Sequence, residues 1–189
     1  MWLAISVVYI AIMLALTPRH GLPSKLADPR FLLEQVSALA AGICAAAAAF
    51  ATVIPGRNRR LLALLLLPVA GWLGSIGEGC IRNWPQGLSL QHDLSCFPFI
   101  VLLGAFPAIA MAVMLRRGAP LTPHLTAALG GLGAAGLANF FLRLFHPEDV
   151  TLMLLVWHVG GVFLLSAVAA GAGRLLLNWH SIKARAAQL

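Results

Sequence analysis

Apolar residues run along this chain in long, nearly unbroken blocks, and the short polar stretches between them carry most of the charge. Six blocks can be marked, at about 2–16, 31–54, 61–77, 97–115, 126–145 and 151–177. A helix that crosses a bilayer needs about 20 mostly apolar residues, and most of the blocks approach that length. The pattern predicts an all-α, polytopic six-helix transmembrane bundle, one domain over residues 1–189, with a basic cytoplasmic tail at 178–189. The longest polar interruption runs from Glu78 to Phe99. It holds two of the three cysteines, Cys80 and Cys96, together with His92 and Asp93.

Composition narrows the class. Of the 189 residues 60% are apolar and 10% charged, with a mean hydropathy of +0.90. Soluble domains carry about 25% charged residues, so an aqueous fold is excluded. The net charge of +7 does not argue for nucleic acid, because the cations are dispersed among short loops and ends, as membrane topology requires. The first block makes a poor signal peptide. No Lys or Arg precedes it, and Leu14-Ala15-Leu16-Thr17 is not a small-x-small cleavage site. It is short for a span and starts at the initiator, which leads to the expectation that a preceding segment belongs to the native protein.

Lys/Arg positions orient the bundle. One side takes eight cations: Arg57, Arg59, Arg60, Arg116, Arg117, Arg174, Lys183 and Arg185. The other takes five: Arg19, Lys25, Arg30, Arg82 and Arg143. All six acids, Asp28, Glu34, Glu78, Asp93, Glu148 and Asp149, lie on or near the less basic side. Both termini are therefore expected in the cytoplasm and the Cys80–Cys96 loop in the periplasm. Trp2, Trp72, Trp84 and Trp179 are expected as interfacial anchors. The Gly130–Gly136 run, Gly42 with Ala45–Ala49, and Gly160-Gly161 supply small faces for close helix contact.

Candidate chemistry gathers on the less basic side. Cys80 and Cys96 can form a disulfide in an oxidising compartment, or remain thiols that bind metal or are oxidised. Zinc, copper and cadmium favour thiolate with imidazole, and Cys96 with His146, joined by Cys80 or His92, would supply that set. No Cys-x-x-Cys occurs, which argues against a thioredoxin-like enzyme. Glu34 and Arg143 each sit near the end of an apolar block, where ionisable groups usually pair, and a structural ion pair between them is expected. His158, deeper in the sixth block, has no second intramembrane histidine to share a haem, so a hydrogen bond across the bundle is expected of it. No nucleophile-base-acid set or phosphate loop is present, and the chain is not expected to be an enzyme.

Several phrases together resemble a known family. They are Asp28-Pro29-Arg30-Phe31-Leu32-Leu33-Glu34, Ile54-Pro55-Gly56-Arg57, Cys96-Phe97-Pro98-Phe99, Leu115-Arg116-Arg117-Gly118-Ala119-Pro120-Leu121, Leu142-Arg143-Leu144-Phe145-His146-Pro147-Glu148-Asp149 and Trp157-His158. They resemble the NrsF-type negative regulators of sigma factor over about Asp28 to Trp179. The resemblance implies an inner-membrane anti-sigma factor that holds an extracytoplasmic-function sigma factor until heavy metal or oxidative stress releases it. It implies no obligatory cofactor, only a transient divalent metal (Zn, Cd or Cu) as signal. The partners implied are a sigma factor and the lipid bilayer, without direct nucleic acid contact. Of the two sensing cysteines it implies, one matches Cys96. The other would precede Pro-x-Asp between helices five and six, where this chain has His146, which favours either a Cys96/His146 metal site or a Cys80–Cys96 pair. Relatives also carry a cytoplasmic segment before the first helix. Here the sigma factor is expected to meet Arg57, Arg59, Arg60, Arg116 and Arg117, or the tail. The rival reading is a small transporter or redox subunit handling metal or quinone.

Overall fold

The computed structural model describes residues 1–16, 22–54, 56, 59–82, 96–118, 120–145 and 154–177, and all regular structure within them is helical. In chain order the helices are α1 (Trp2–Leu16), α2 (Leu22–Leu26), α3 (Pro29–Ala51), α4 (Leu66–Arg82), α5 (Cys96–Arg116), α6 (Pro123–Phe145), α7 (Gly160–Gly171) and α8 (Gly173–Leu176). A 3-10 segment, Arg59–Leu65, leads into α4, and a π-helical turn, Leu154–Val159, leads into α7. Three helical stretches are long and apolar enough to cross a membrane: Pro29–Ala51, Leu62–Arg82 and Pro123–Leu144. The helices over the other apolar blocks are shorter: Trp2–Leu16, Val101–Arg116 and Leu155–Gly171.

The boundaries differ from the apolar blocks for local reasons. Asp28 caps α3, its side chain accepting from the Arg30 backbone N–H, and Pro29 at the first helical position is pre-set for the helix. The helix thus begins at Pro29, two residues before the block, and ends at Ala51. Helix α4 continues past Gly77 to Arg82, because Glu78 and Arg82, one turn apart, pair at 2.7 Å. Cys80 consequently lies in the last turn of a helix, and Cys96 opens the next one. The short α2 precedes α3 and packs against it.

Helix α6 is the hub, packed against α3, α5 and α7, and 72% of its apolar window is buried, against 11% for Leu62–Arg82. Glycine makes the hub possible. A Cβ on Gly133 would stand 3.1 Å from the Ala46 backbone nitrogen, and one on Gly42 would stand 3.2 Å from that of Leu137. The buried face of α3, Phe31, Gln35, Ala38, Gly42, Ala45, Ala46 and Ala49, follows the helical repeat and seats on α6. Phe31, Gln35 and Ala38 lie toward one end of this interface and Ala49 toward the other.

Two tryptophans expected at the interfaces are in the core. Trp72 is 1% exposed, among Ala38, Ala135, Val159 and Val162, and Trp2 donates from its indole nitrogen to the Pro107 carbonyl at 2.8 Å. Small neighbours, Ala38 and Ala135, leave room for the Trp72 indole inside the bundle. Trp84 and Trp179 lie outside the described residues.

Candidate functional site

The charged groups of the described residues divide between the two ends of the bundle. At one end, Asp28, Arg30 and Glu34 open α3, Glu78 and Arg82 close α4, and Arg143 lies in the last turn of α6. Glu78 bridges Arg82 and Arg30, the latter at 3.6 Å, and ties α4 to α3. These side chains are about half exposed, so each contact contributes only about 0–1 kcal/mol. The Glu34–Arg143 contact differs in kind. Arg143 Nε donates to Glu34 Oε1 at 3.0 Å and its Nη2 to Oε2 at 3.4 Å, with the side chains 5% and 14% exposed. The guanidinium also lies 5.4 Å from the centre of the Phe31 ring. Burial makes this two-pronged pair expensive to break by removing Arg143, because the Glu34 carboxylate is then stranded.

Deeper in the same half lies a neutral polar layer. His158 Nδ1 donates to Asn139 Oδ1 at 2.6 Å, with both residues almost fully buried. This is the hydrogen bond across the bundle expected of His158. Asn139 and Arg143 are one turn apart on the same face of α6, so the hub presents an amide and a guanidinium in line. Among the described residues, both polar atoms of the buried Gln35 amide lack a partner, as does the Trp72 indole N–H. The Arg30–Glu78 contact and the approach of Gly71 to Ser37 set the antiparallel register of α3 and α4. In that register Trp72 is level with the turn that contains Gln35.

The proposed sensor residues are distributed around this end. Cys80 carries a free, half-buried thiol and follows Trp72 and Ile76 at four-residue steps along the inward stripe of α4. Cys96 is the first residue of α5, and its side chain is outside the described set. His92 and His146 are also outside the described residues. Among the described residues no three His, Cys, Asp or Glu side chains converge as a metal site would require.

The opposite end is basic and held together by hydrogen bonds to backbone. Arg116 Nε donates to the Leu176 carbonyl, and His124 Nδ1 donates to the Ala170 carbonyl at 2.8 Å. The hydroxyls of Thr52 and Thr126 share a hydrogen bond of 2.7 Å between α6 and the residue that follows α3. Arg116 and Arg117 are exposed beside this collar, and Arg174 emerges from α8. Arg57 is outside the described residues, as are the side chains of Arg59 and Arg60.

Sequence reasoning missed Asn139, Gln35 and the threonine pair. Each is a single neutral polar residue inside an apolar block, and such residues are conspicuous only as exceptions to their surroundings. The described part of this end offers a paired charge, a buried hydrogen bond and the Cys80 thiol.

No curated protein and no solved structure matches the chain. A family described as negative regulator of sigma F, NrsF, matches residues 1–179, almost the entire length. That description names a regulator, not a class of enzyme, and implies a sigma factor as partner. With its all-helical fold and its apolar helices long enough to cross a bilayer, the chain belongs to the NrsF family of negative regulators of sigma F.

Proposed function

We propose that this protein is an anti-sigma factor embedded in the bacterial inner membrane, which sequesters an extracytoplasmic-function sigma factor and releases it under heavy-metal or oxidative stress. The observation that carries the reading is the family match over residues 1–179. In this scheme six helices cross the bilayer, both termini are cytoplasmic, and the segments bearing Cys80, His92, Cys96 and His146 are periplasmic. The larger share of Lys and Arg, eight against five, on the side of Arg57, Arg59, Arg60, Arg116, Arg117 and Arg174 supports that orientation.

The signal acts at Cys96 with His146 as a metal site, or at Cys96 with Cys80 as a thiol pair. Either event favours one of two packings of the bundle, and the basic end changes its fit to an acidic face of the sigma factor. Reversing a 1:99 population to 99:1 requires the signal to discriminate by roughly 5.5 kcal/mol. A metal-thiolate site is strong enough to supply that.

The test is a pull-down of the tagged membrane protein with and without cadmium or diamide, probed for sigma factor. Retention at rest and loss under stressor is the expected result. Absence of sigma factor under both conditions would remove the sequestration reading.

A further inference from the structure

The π-helical turn at Leu154–Val159 joins two buried features of the molecule. It presents His158 to Asn139, and it runs without a break into α7, whose far end is meshed with the basic collar. A π-turn winds in one residue more than α-helix would, and such turns are frequent at functional sites. We propose that this turn is a one-residue register switch, and that the Asn139–His158 hydrogen bond is the pin that holds it. The role of its output rests on the sigma-regulator reading above; the switch itself does not.

Unwinding the extra residue into α-helix would advance α7 by the rise of one residue, about 1.5 Å, and turn it by about 100°. Two features make this a choice between states instead of a gradual slide. First, Asn139 and His158 are 1% and 3% exposed, so parting them strands the Asn139 amide oxygen in an apolar interior, where that is costly. Second, α7 is cogged against α6. A Cβ on Gly131 would stand 2.8 Å from the Ala169 Cβ, and one on Gly173 would stand 2.7 Å from the Pro123 carbonyl oxygen. No room exists for α7 to move while these contacts stay as they are. A displacement at His158 must therefore reach His124, Ala170, Gly173 and Leu176, and through the Leu176 carbonyl it reaches Arg116. The pin stands in the acid-bearing half and the output at the basic end, one stiff helix apart.

Opposite variants test this in the full chain. His158→Leu, or Asn139→Leu should the first fail to fold, removes the pin. Deletion of Val156, which is 43% exposed, removes the extra residue and leaves ordinary helix with His158 still in phase with α7. For geometry, nitroxide labels at Leu121→Cys and Leu175→Cys, both highly exposed, are placed in protein whose three native cysteines are replaced, and their separation is measured in nanodiscs. His158→Leu is expected to shift the distance distribution by the rise of one residue or more. The Val156 deletion is expected to keep the wild-type distance and to suppress the shift when combined with His158→Leu. His158→Gln, which retains a donor, is expected to restore the wild-type distance. In protein with its native cysteines, His158→Leu should release sigma factor without stressor and the deletion should hold it under cadmium. An unchanged distance in His158→Leu, or a combined variant that shifts as far as His158→Leu alone, would overturn the switch. The expected distances with no sigma factor bound in any variant would establish the switch and overturn the sigma reading alone.

Discussion

Arg143 on α6 and Glu34 on α3, 109 positions apart in sequence, face each other through two hydrogen bonds in a part of the bundle almost closed to solvent. One turn farther along α6, Asn139 holds His158. The hub helix is thus fastened by a charged pair to α3 and, one turn away, by a neutral hydrogen bond to His158, both in the half that carries the acids.

The ion pair should be costly to break and cheap to replace. Arg143→Leu strands the Glu34 carboxylate and is expected to destabilise by about 3–5 kcal/mol, and Glu34→Leu, which leaves Arg143 its contact with the Phe31 ring, is expected to cost less. The double variant should recover most of that loss, since apolar side chains suit the site. Unfolding of the four proteins in mixed micelles checks the cycle, and additive losses would show that the pair is not coupled.

Close packing of α3 on α6 should be sensitive to a single methyl group. Gly133→Ala places its Cβ within 3.1–3.2 Å of three Ala46 atoms and is expected to cost about 1–3 kcal/mol by forcing the helices apart. Gly74→Ala on α4 meets nothing within 4 Å and should stabilise by about 0.5–1 kcal/mol through helix propensity. Thermal unfolding of the two variants side by side should move in opposite directions.

Trp72 should be valued for its volume and not for its indole N–H, which has no partner. Trp72→Ala opens a void among Ala38, Ala135, Val159 and Val162 and is expected to cost about 3–5 kcal/mol. Trp72→Phe removes the orphan donor while filling most of the space, and should cost well under half as much. Equal losses in the two variants would mean that the N–H has a role.

In the proposed sensor, Cys96→Ser should abolish stress-induced sigma activity in a reporter strain. His146→Ala should abolish the response to cadmium while leaving that to diamide if a Cys80–Cys96 thiol pair mediates oxidation. Loss of both responses in His146→Ala would point to a single metal-like site. A normal response in Cys96→Ser would remove the cysteine from the mechanism.

At the basic end, Arg116→Glu combined with Arg117→Glu should weaken sigma factor binding by slowing association, and the effect should shrink as salt is raised. Titration of the purified proteins at two ionic strengths checks this. A salt-independent loss would instead indicate damage to the collar, where Arg116 holds the Leu176 carbonyl.

The all-helical class and the apolar segments were legible in the sequence, because in hydrocarbon every backbone polar group must be satisfied within a segment and long apolar runs leave little alternative to helix. The Glu34–Arg143 contact was accessible for a related reason: each is an ionisable residue inside the end of an apolar block, where such groups usually pair. Local rules also set the ends of α3, through Asp28 and Pro29. Other features depended on which faces meet. Nothing in the apolar blocks singles out α6 as the hub, since its glycines acquire meaning only opposite Gly42 and Ala46. Trp72 reads as an interfacial anchor until Gly71 and Ser37 bring α4 close enough to bury it. Asn139 becomes the partner of His158 only when α6 and α7 set them at one level, and the π-turn that presents His158 follows from that packing. Helix formation is a property of each segment, whereas the polar layer is a property of three helices in register, and only their tertiary contact decides it.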